Sequence, residues 1–245
     1  MLSVKNLCVT FFPGEALEKK VLQGVDLELK EGDFAVVLGS NGSGKSTLFN
    51  AILGYVPTEG EVILGGRNLN KLKPYKRLRD IGIVYQDPLR GSAPHLSVEE
   101  NLLLAMPKGV KRADYLAYCK RELSSYGLGL ENNFKSEVRF LSGGMRQALA
   151  LFLATVKKPS LLLLDEHTAA LDPHASEVVM KLSEKIVLDH PQMMTLMIIH
   201  NLDLALRYGN RLIVLRKGKV ALDVAGKEKR ILTKESLSAI YEAED

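Results

Sequence analysis

An α/β fold, with a mostly parallel sheet covered by helices on both faces, an antiparallel β piece and an inserted helical subdomain, is predicted by three observations. Residues 35–38, 160–164 and 195–199 are apolar runs without the alternation of a half-exposed strand. Strands of a helix-covered parallel sheet are buried on both faces and need that pattern. Short β-type segments at 2–10, 21–29 and 33–38, divided by Pro13-Gly14 and Glu31-Gly32, suit an antiparallel piece leading into the core. From about residue 88 to 158 the periodicity becomes helical, with Ser97-Val98-Glu99-Glu100 as a capping box before 101–106 and a second amphipathic stretch near 113–126. Helix following strand in this order is doubly wound architecture.

The 245 residues, 46% of them hydrophobic, suffice for one domain, 1–245, with the helical subdomain at 88–158 inside it. Thirty-three Lys and Arg against 29 Asp and Glu leave a net charge of +4, an ordinary solvated surface. Cys8 and Cys119 lie far apart and lack His/Cys partners at metal-site spacing, which points away from a disulfide framework or a zinc site. The opening Met1-Leu2-Ser3-Val4-Lys5-Asn6 lacks a signal-peptide pattern, and no apolar run approaches the ~20 residues of a membrane span. Any membrane role is therefore expected to run through a partner. The charged tail after Gly226 carries one short helical pattern at 234–242, expected to be a solvated peripheral helix.

Gly39-Ser40-Asn41-Gly42-Ser43-Gly44-Lys45-Ser46 matches G-x-x-x-x-G-K-[ST] between the strand ending at Leu38 and the helical pattern 46–53. Glycines let such a loop curl its N–H groups inward, and the following helix adds its positive end. Lys45 then reaches the β- and γ-phosphates, Ser46 offers a hydroxyl to Mg²⁺, and Thr47 lies near the α-phosphate. Leu161-Leu162-Leu163-Leu164-Asp165-Glu166 ends a second strand on two carboxylates, placing Asp165 to hold Mg²⁺ or its water. A third stretch, Leu141-Ser142-Gly143-Gly144-Met145-Arg146-Gln147, precedes the helical run 148–156, so Ser142, Gly143 and Gly144 offer a second anion site at a helix N-terminus.

In order and spacing these stretches resemble the ATP-binding cassette (ABC) ATPases, over about residues 2–223. The resemblance implies that Glu166 is the general base or water-orienting group and that Gln86, after the strand-like 81–85, contacts Mg²⁺ and the attacking water. It implies that His200, ending the 195–199 run, reaches the γ-phosphate, and that Asp172 in Ala170-Leu171-Asp172 crosses a dimer interface. Phe11 matches the aromatic that stacks on adenine, although either it or Phe12 could be core. Ser142-Gly143-Gly144 would face the γ-phosphate held by a second ABC subunit, so the resemblance implies a head-to-tail dimer, homodimer or heterodimer, enclosing two ATP molecules. Two departures stand out: His167 follows Asp165-Glu166 where the family has Pro, and Met145 replaces the signature Gln.

The implied protein is the ATP-binding subunit of a bacterial ABC transporter, hydrolysing ATP with Mg²⁺ at the cytoplasmic face of the membrane. It would dock on separate membrane-spanning permease subunits through the groove at 86–95 and work with an extracytoplasmic solute-binding protein, without direct contact to nucleic acid. Asp-Glu-His-Thr-Ala-Ala-Leu-Asp-Pro further resembles ATPase subunits of aromatic amino-acid uptake systems. The rivals are a soluble ABC ATPase acting on ribosomes or DNA and a regulatory membrane ATPase with a cell-wall partner.

Overall fold

The computed structural model describes residues 1–242. In chain order its elements are β1 (Leu2–Phe11), β2 (Lys19–Leu29), β3 (Phe34–Leu38), α1 (Lys45–Leu53), β4 (Glu59–Leu64), β5 (Arg67–Asn68), α2 (Pro74–Arg77) and β6 (Ile81–Val84). They continue with α3 (Val98–Ala105), α4 (Arg112–Ser124), α5 (Gly143–Thr155), β7 (Leu161–Asp165), α6 (Pro173–Asp189) and β8 (Met194–Ile198). The chain closes with α7 (Leu202–Arg207), β9 (Arg211–Arg216), β10 (Lys219–Ala225), α8 (Gly226–Arg230) and α9 (Lys234–Glu242).

Two sheets form, one in the order β2-β1-β4-β5 and one in the order β10-β9-β3-β8-β7-β6. The first is antiparallel throughout; in the second, β9, β3, β8, β7 and β6 run parallel and β10 closes the edge antiparallel. Side chains of a strand alternate between faces, so the unbroken apolar runs feed two cores at once. Leu162 and Leu164 join Val36, Leu38 and Met197 on one side. Leu161 and Leu163 join Ala35, Val37, Leu196 and Ile198 on the other. The first core is shared with the helices between β6 and β7, through Leu102, Leu123, Leu149 and Phe152, and the second with the antiparallel sheet, through Val4, Leu7 and Val25. Truncating one of these leucines to Ala would cost about 2–5 kcal/mol.

Local chemistry sets the helix ends. Ser97 Oγ accepts from Glu100 N–H while Glu100 returns a bond to Ser97 N–H, so the predicted capping box starts α3, at Val98 rather than at 101. At the far end of α1, the buried Arg77 guanidinium donates to Ala51 O (3.0 Å) and Ile52 O (2.8 Å), two of the carbonyls a helix terminus leaves unpaired.

Three expectations are corrected, and one stretch without an expectation is filled. The sequence assigns 33–38 to the antiparallel piece and 35–38 to the parallel sheet, and β3 takes the latter place, between β9 and β8. The signature helix begins at Gly143, five residues before the expected 148, because Ser142 Oγ caps it by accepting from Met145 N–H (3.3 Å). The tail helix α9 is not simply solvated, for Leu237 is fully buried in the core beside α7. Residues 211–225, to which the sequence reading assigned no strand, form β9 and β10, and β9 is an interior strand.

Candidate nucleotide site

The parallel strands end together at one side of the sheet, and their order decides who meets there. Because β8 lies between β3 and β7, the loop after β3, His200 beyond β8, and Asp165 with Glu166 at the end of β7 converge. Ligands of α/β sheets bind at this carboxyl end. A cavity of about 310 Å³ opens over the loop, lined by Asn41, Gly42, Gly44, Lys45, Ser46, Thr47 and Glu166, with Phe11, Lys19 and Val21 from the antiparallel sheet forming the other wall.

The loop is held from outside. Gly44 has φ +107°, and a Cβ there would stand 2.7 Å from Leu22 Cδ2 and 3.1 Å from Val21 O, so any other residue would be strained there. The β9–β10 turn presses on it, with Gly218 N–H donating to Ser43 O (3.0 Å) and Gly218 O accepting from Gln23 N–H (2.9 Å). Lys45 is buried, its Nζ donating to Gly39 O (2.7 Å) and Ser40 O (2.9 Å). Burial lowers the Lys45 pKa, against the opposing pull of Glu166 and Asp165. Those two carboxylates are therefore close to the ammonium. Ser40 and Asn41 are exposed, and the buried Ser43 hydroxyl makes no hydrogen bond to another described group.

Burial, then the neighbouring Glu166 charge, raise the Asp165 pKa, while Lys45, Arg90 and His200 pull it down. A cation at this carboxylate would relieve both raising effects. Glu166 occupies the left-handed region with φ +46°, and its Oε1 is in contact with His200 Nε2. The residues expected to act on the γ-phosphate are thus paired with each other. His167, the next residue, is 2% exposed, and burial pushes its imidazole down to about 4. Its side chain turns away from the cavity to meet Ser183 Oγ of α6 at 2.8 Å.

Other expected site residues lie outside this cavity. Gln86 is exposed just beyond β6. Ser142 is an exposed N-cap and Gly144 is buried in the first turn of α5. Gly143 packs on Leu171, whose Cδ2 lies 2.9 Å from where a Cβ would stand. Asp172 caps α6, its Oδ1 accepting from Ala175 N–H (3.0 Å), and is also exposed. Phe11 lines the cavity, whereas Phe12 is 55% exposed with φ +53°. Of the two aromatics the sequence left open, Phe11 is the one facing a nucleotide-sized space.

Three contributors were not assigned to the site from the sequence. Lys19 reaches the cavity because it pairs opposite Phe11 across the β1–β2 ladder. Arg90, which lies over the Tyr85 ring at 4.5 Å, adds positive potential at Asp165. Gln147, fully buried on α5, donates from Nε2 to Tyr85 O (3.2 Å), tying the signature helix to the residue before Gln86. Each depends on partners distant in sequence.

The donor chemistry fits Mg²⁺. Ser46 and Asp165 supply oxygen, and among the described residues no group of three or more His, Cys, Asp and Glu forms a metal site by itself. Mg²⁺ typically takes one or two protein ligands and fills its octahedron with water and substrate phosphates.

Comparison with known proteins identifies the family. Residues 22–169 match the ABC transporter family. The chain is 40% identical, over 99% of both chains, to a tyrosine transport ATP-binding protein of Clostridioides difficile. It is 34% identical to a phosphonates import ATP-binding protein of Alcaligenes faecalis, over 100% of this chain and 89% of that one. Among solved structures, a dimeric post-hydrolysis ATP-binding cassette bound to ADP and Pi superposes with a TM-score of 0.78 and 28% identity, covering 92% of this chain and 98% of that chain.

Proposed function

Because this chain belongs to the ABC transporter family and is an ABC-type ATPase, we propose that it powers a bacterial importer of amino acids as the ATP-binding subunit bound to separate permease subunits. One observation carries the reading: Lys45, Asp165, Glu166 and His200 are brought together at the carboxyl end of one parallel sheet, beside a cavity walled by Phe11. Full-length identity to a tyrosine transport subunit supports the amino-acid assignment.

ATP enters with its phosphates on the 39–46 loop and its adenine against Phe11. Lys45 binds the terminal phosphates. Ser46, Asp165 and Gln86 would hold Mg²⁺, which when bound would neutralise charge on the phosphate oxygens. Glu166 orients the attacking water, and His200, now on Glu166 Oε1, fixes that carboxylate and turns to the γ-phosphate in the closed dimer. Ser142, Gly143 and Gly144, exposed or at a helix start away from this cavity, cap the nucleotide held by a second copy, and Asp172 joins the two sites. The dimer arrangement of the solved relative supports this. ATP binds the closed dimer better than the open one, so hydrolysis returns the pair to the open state.

Residues 88–158 act as a subdomain that moves with Gln86 and carries the permease contact. A groove of about 520 Å³ between the outer edge of β6 and the α3 and α5 helices, lined by Tyr85, Arg90, Ala93 and Leu104, supports that assignment. No described helix is long and apolar enough to cross a membrane, so attachment at the cytoplasmic face is through the permease. The test is a pull-down from mild-detergent membranes with mass spectrometry of co-purifying chains, followed by ATPase assays with candidate amino acids. A multi-span permease and a solute-binding protein, with turnover raised by an aromatic amino acid, are expected. Ribosomal, DNA-repair or cell-wall partners without a permease would overturn the transport reading.

A further inference from the structure

We propose that His167 is a positioning residue for Glu166, acting through a buried hydrogen-bond chain to the middle of α6. The proposal rests on the reading of Glu166 as the group that orients the attacking water.

Glu166 sits in backbone that an L-residue adopts at a cost of about 1–2 kcal/mol, and such conformations persist only where the surroundings over-determine them. Its own N–H makes a long bond to Ile198 O (3.3 Å). Beyond it the chain folds into two successive turns, Ala169 N–H donating to Glu166 O (2.9 Å) and Leu171 N–H to Thr168 O (3.2 Å). Both turns are closed by hydrogen bonds within the loop, and Leu171 packs on Gly143 only at its far end. Beside Glu166 the anchor is His167, whose imidazole enters the core and stops on Ser183 Oγ.

Ser183 is 1% exposed, and its hydroxyl also lies 2.8 Å from Val179 O, one helical turn earlier. The link to His167 forms in either tautomer: Nε2–H donates to Ser183 Oγ while the hydroxyl serves Val179 O, or Nε2 accepts the hydroxyl proton. A side chain that only filled space here would be apolar, since burying polar atoms is costly unless each finds a partner. The imidazole instead makes a directional link whose anchor, α6, is a 17-residue helix packed in the core through Val179, Met180, Leu182 and Ile186. A small slip at His167 is passed directly to the adjoining Glu166 carboxylate, where about 1 Å of misplacement is enough to lower turnover by up to a hundredfold.

The experiment compares steady-state ATP turnover and thermal unfolding for His167→Leu, His167→Gln, Ser183→Ala and Glu166→Gln. Gln can place an amide N–H near the position of Nε2, whereas Leu fills volume without a donor. Expected are a fall in kcat of about tenfold or more for His167→Leu with KM for ATP within twofold, most of the kcat regained in His167→Gln, and a partial loss in Ser183→Ala. Unchanged kcat in folded His167→Leu, or equal losses in the Leu and Gln variants that follow their melting temperatures, would overturn the proposal and leave Glu166 untouched. Should His167→Leu not fold, Ser183→Ala decides alone: a lower kcat at unchanged KM supports the link, and a wild-type kcat refutes it. Full turnover in Glu166→Gln would instead remove the premise and the proposal with it.

Discussion

Lys45 shows how one side chain is prepared for a ligand before the ligand arrives. Its ammonium is out of water, held by two loop carbonyls and drawn by two carboxylates. In the proposed reading, a triphosphate on this loop would meet a cation already largely out of water. Lys45→Ala is expected to weaken ATP binding at least tenfold, measured by fluorescent-nucleotide titration. Glu166→Gln makes the opposite separation: nucleotide affinity stays within a few-fold, turnover drops by about 10²–10³-fold, and ATP drives the chain into a dimer visible by size exclusion. An active Glu166→Gln enzyme would remove the assigned water-orienting role.

Among the elements, the β9–β10 turn and α8 do work that their short sequences do not announce. Gly218 has φ +77°, and a Cβ there would fall 2.2 Å from Val21 O. Gly218→Ala must push the turn off the phosphate loop, so KM for ATP should rise several-fold while kcat is less affected. In α8, Lys229 is buried with its Nζ on the carbonyl oxygens of Tyr208 and Gly209 at the end of α7, and burial pushes its pKa down to about 8 from an ordinary 10.5. Between those values the unfolded chain binds the proton more tightly than the folded one, so this group makes stability rise with pH from about 8 to 10.5. Below pH 8 its cost is fully present. Urea unfolding across that window should show a steeper rise in wild type than in Lys229→Met, and identical slopes would refute the assignment.

At the level of the whole molecule, the β6-edge groove reaches Tyr85, the residue before Gln86. Tyr85 lines the groove, its carbonyl is held by Gln147 from the signature helix, and Gln86 follows it. The α5 helix is thus connected, through Gln147 and Tyr85, to the residue proposed to contact the attacking water. Leu104 is 69% exposed beside that groove. Leu104→Asp or Ala93→Arg should leave ATPase activity of the isolated subunit near wild type yet abolish solute uptake in membranes. Uptake still coupled to ATP use in both variants would show that the permease docks elsewhere.

Where chemistry depends on neighbours in the chain, the sequence alone was sufficient. The strand–loop–helix around Lys45, the Asp165-Glu166 pair at a strand end and the Ser97/Glu100 cap are local patterns whose geometry follows from a few adjacent residues. Unbroken apolar runs determined a sheet buried on both faces. Tertiary structure alone decided that β8 separates β3 from β7, and hence that His200 meets Glu166. It also placed β9 inside the sheet, Lys19 across from Phe11 and His167 on Ser183, because strand order and side-chain pairing are settled by the shared burial of distant segments. No short window of sequence contains that information.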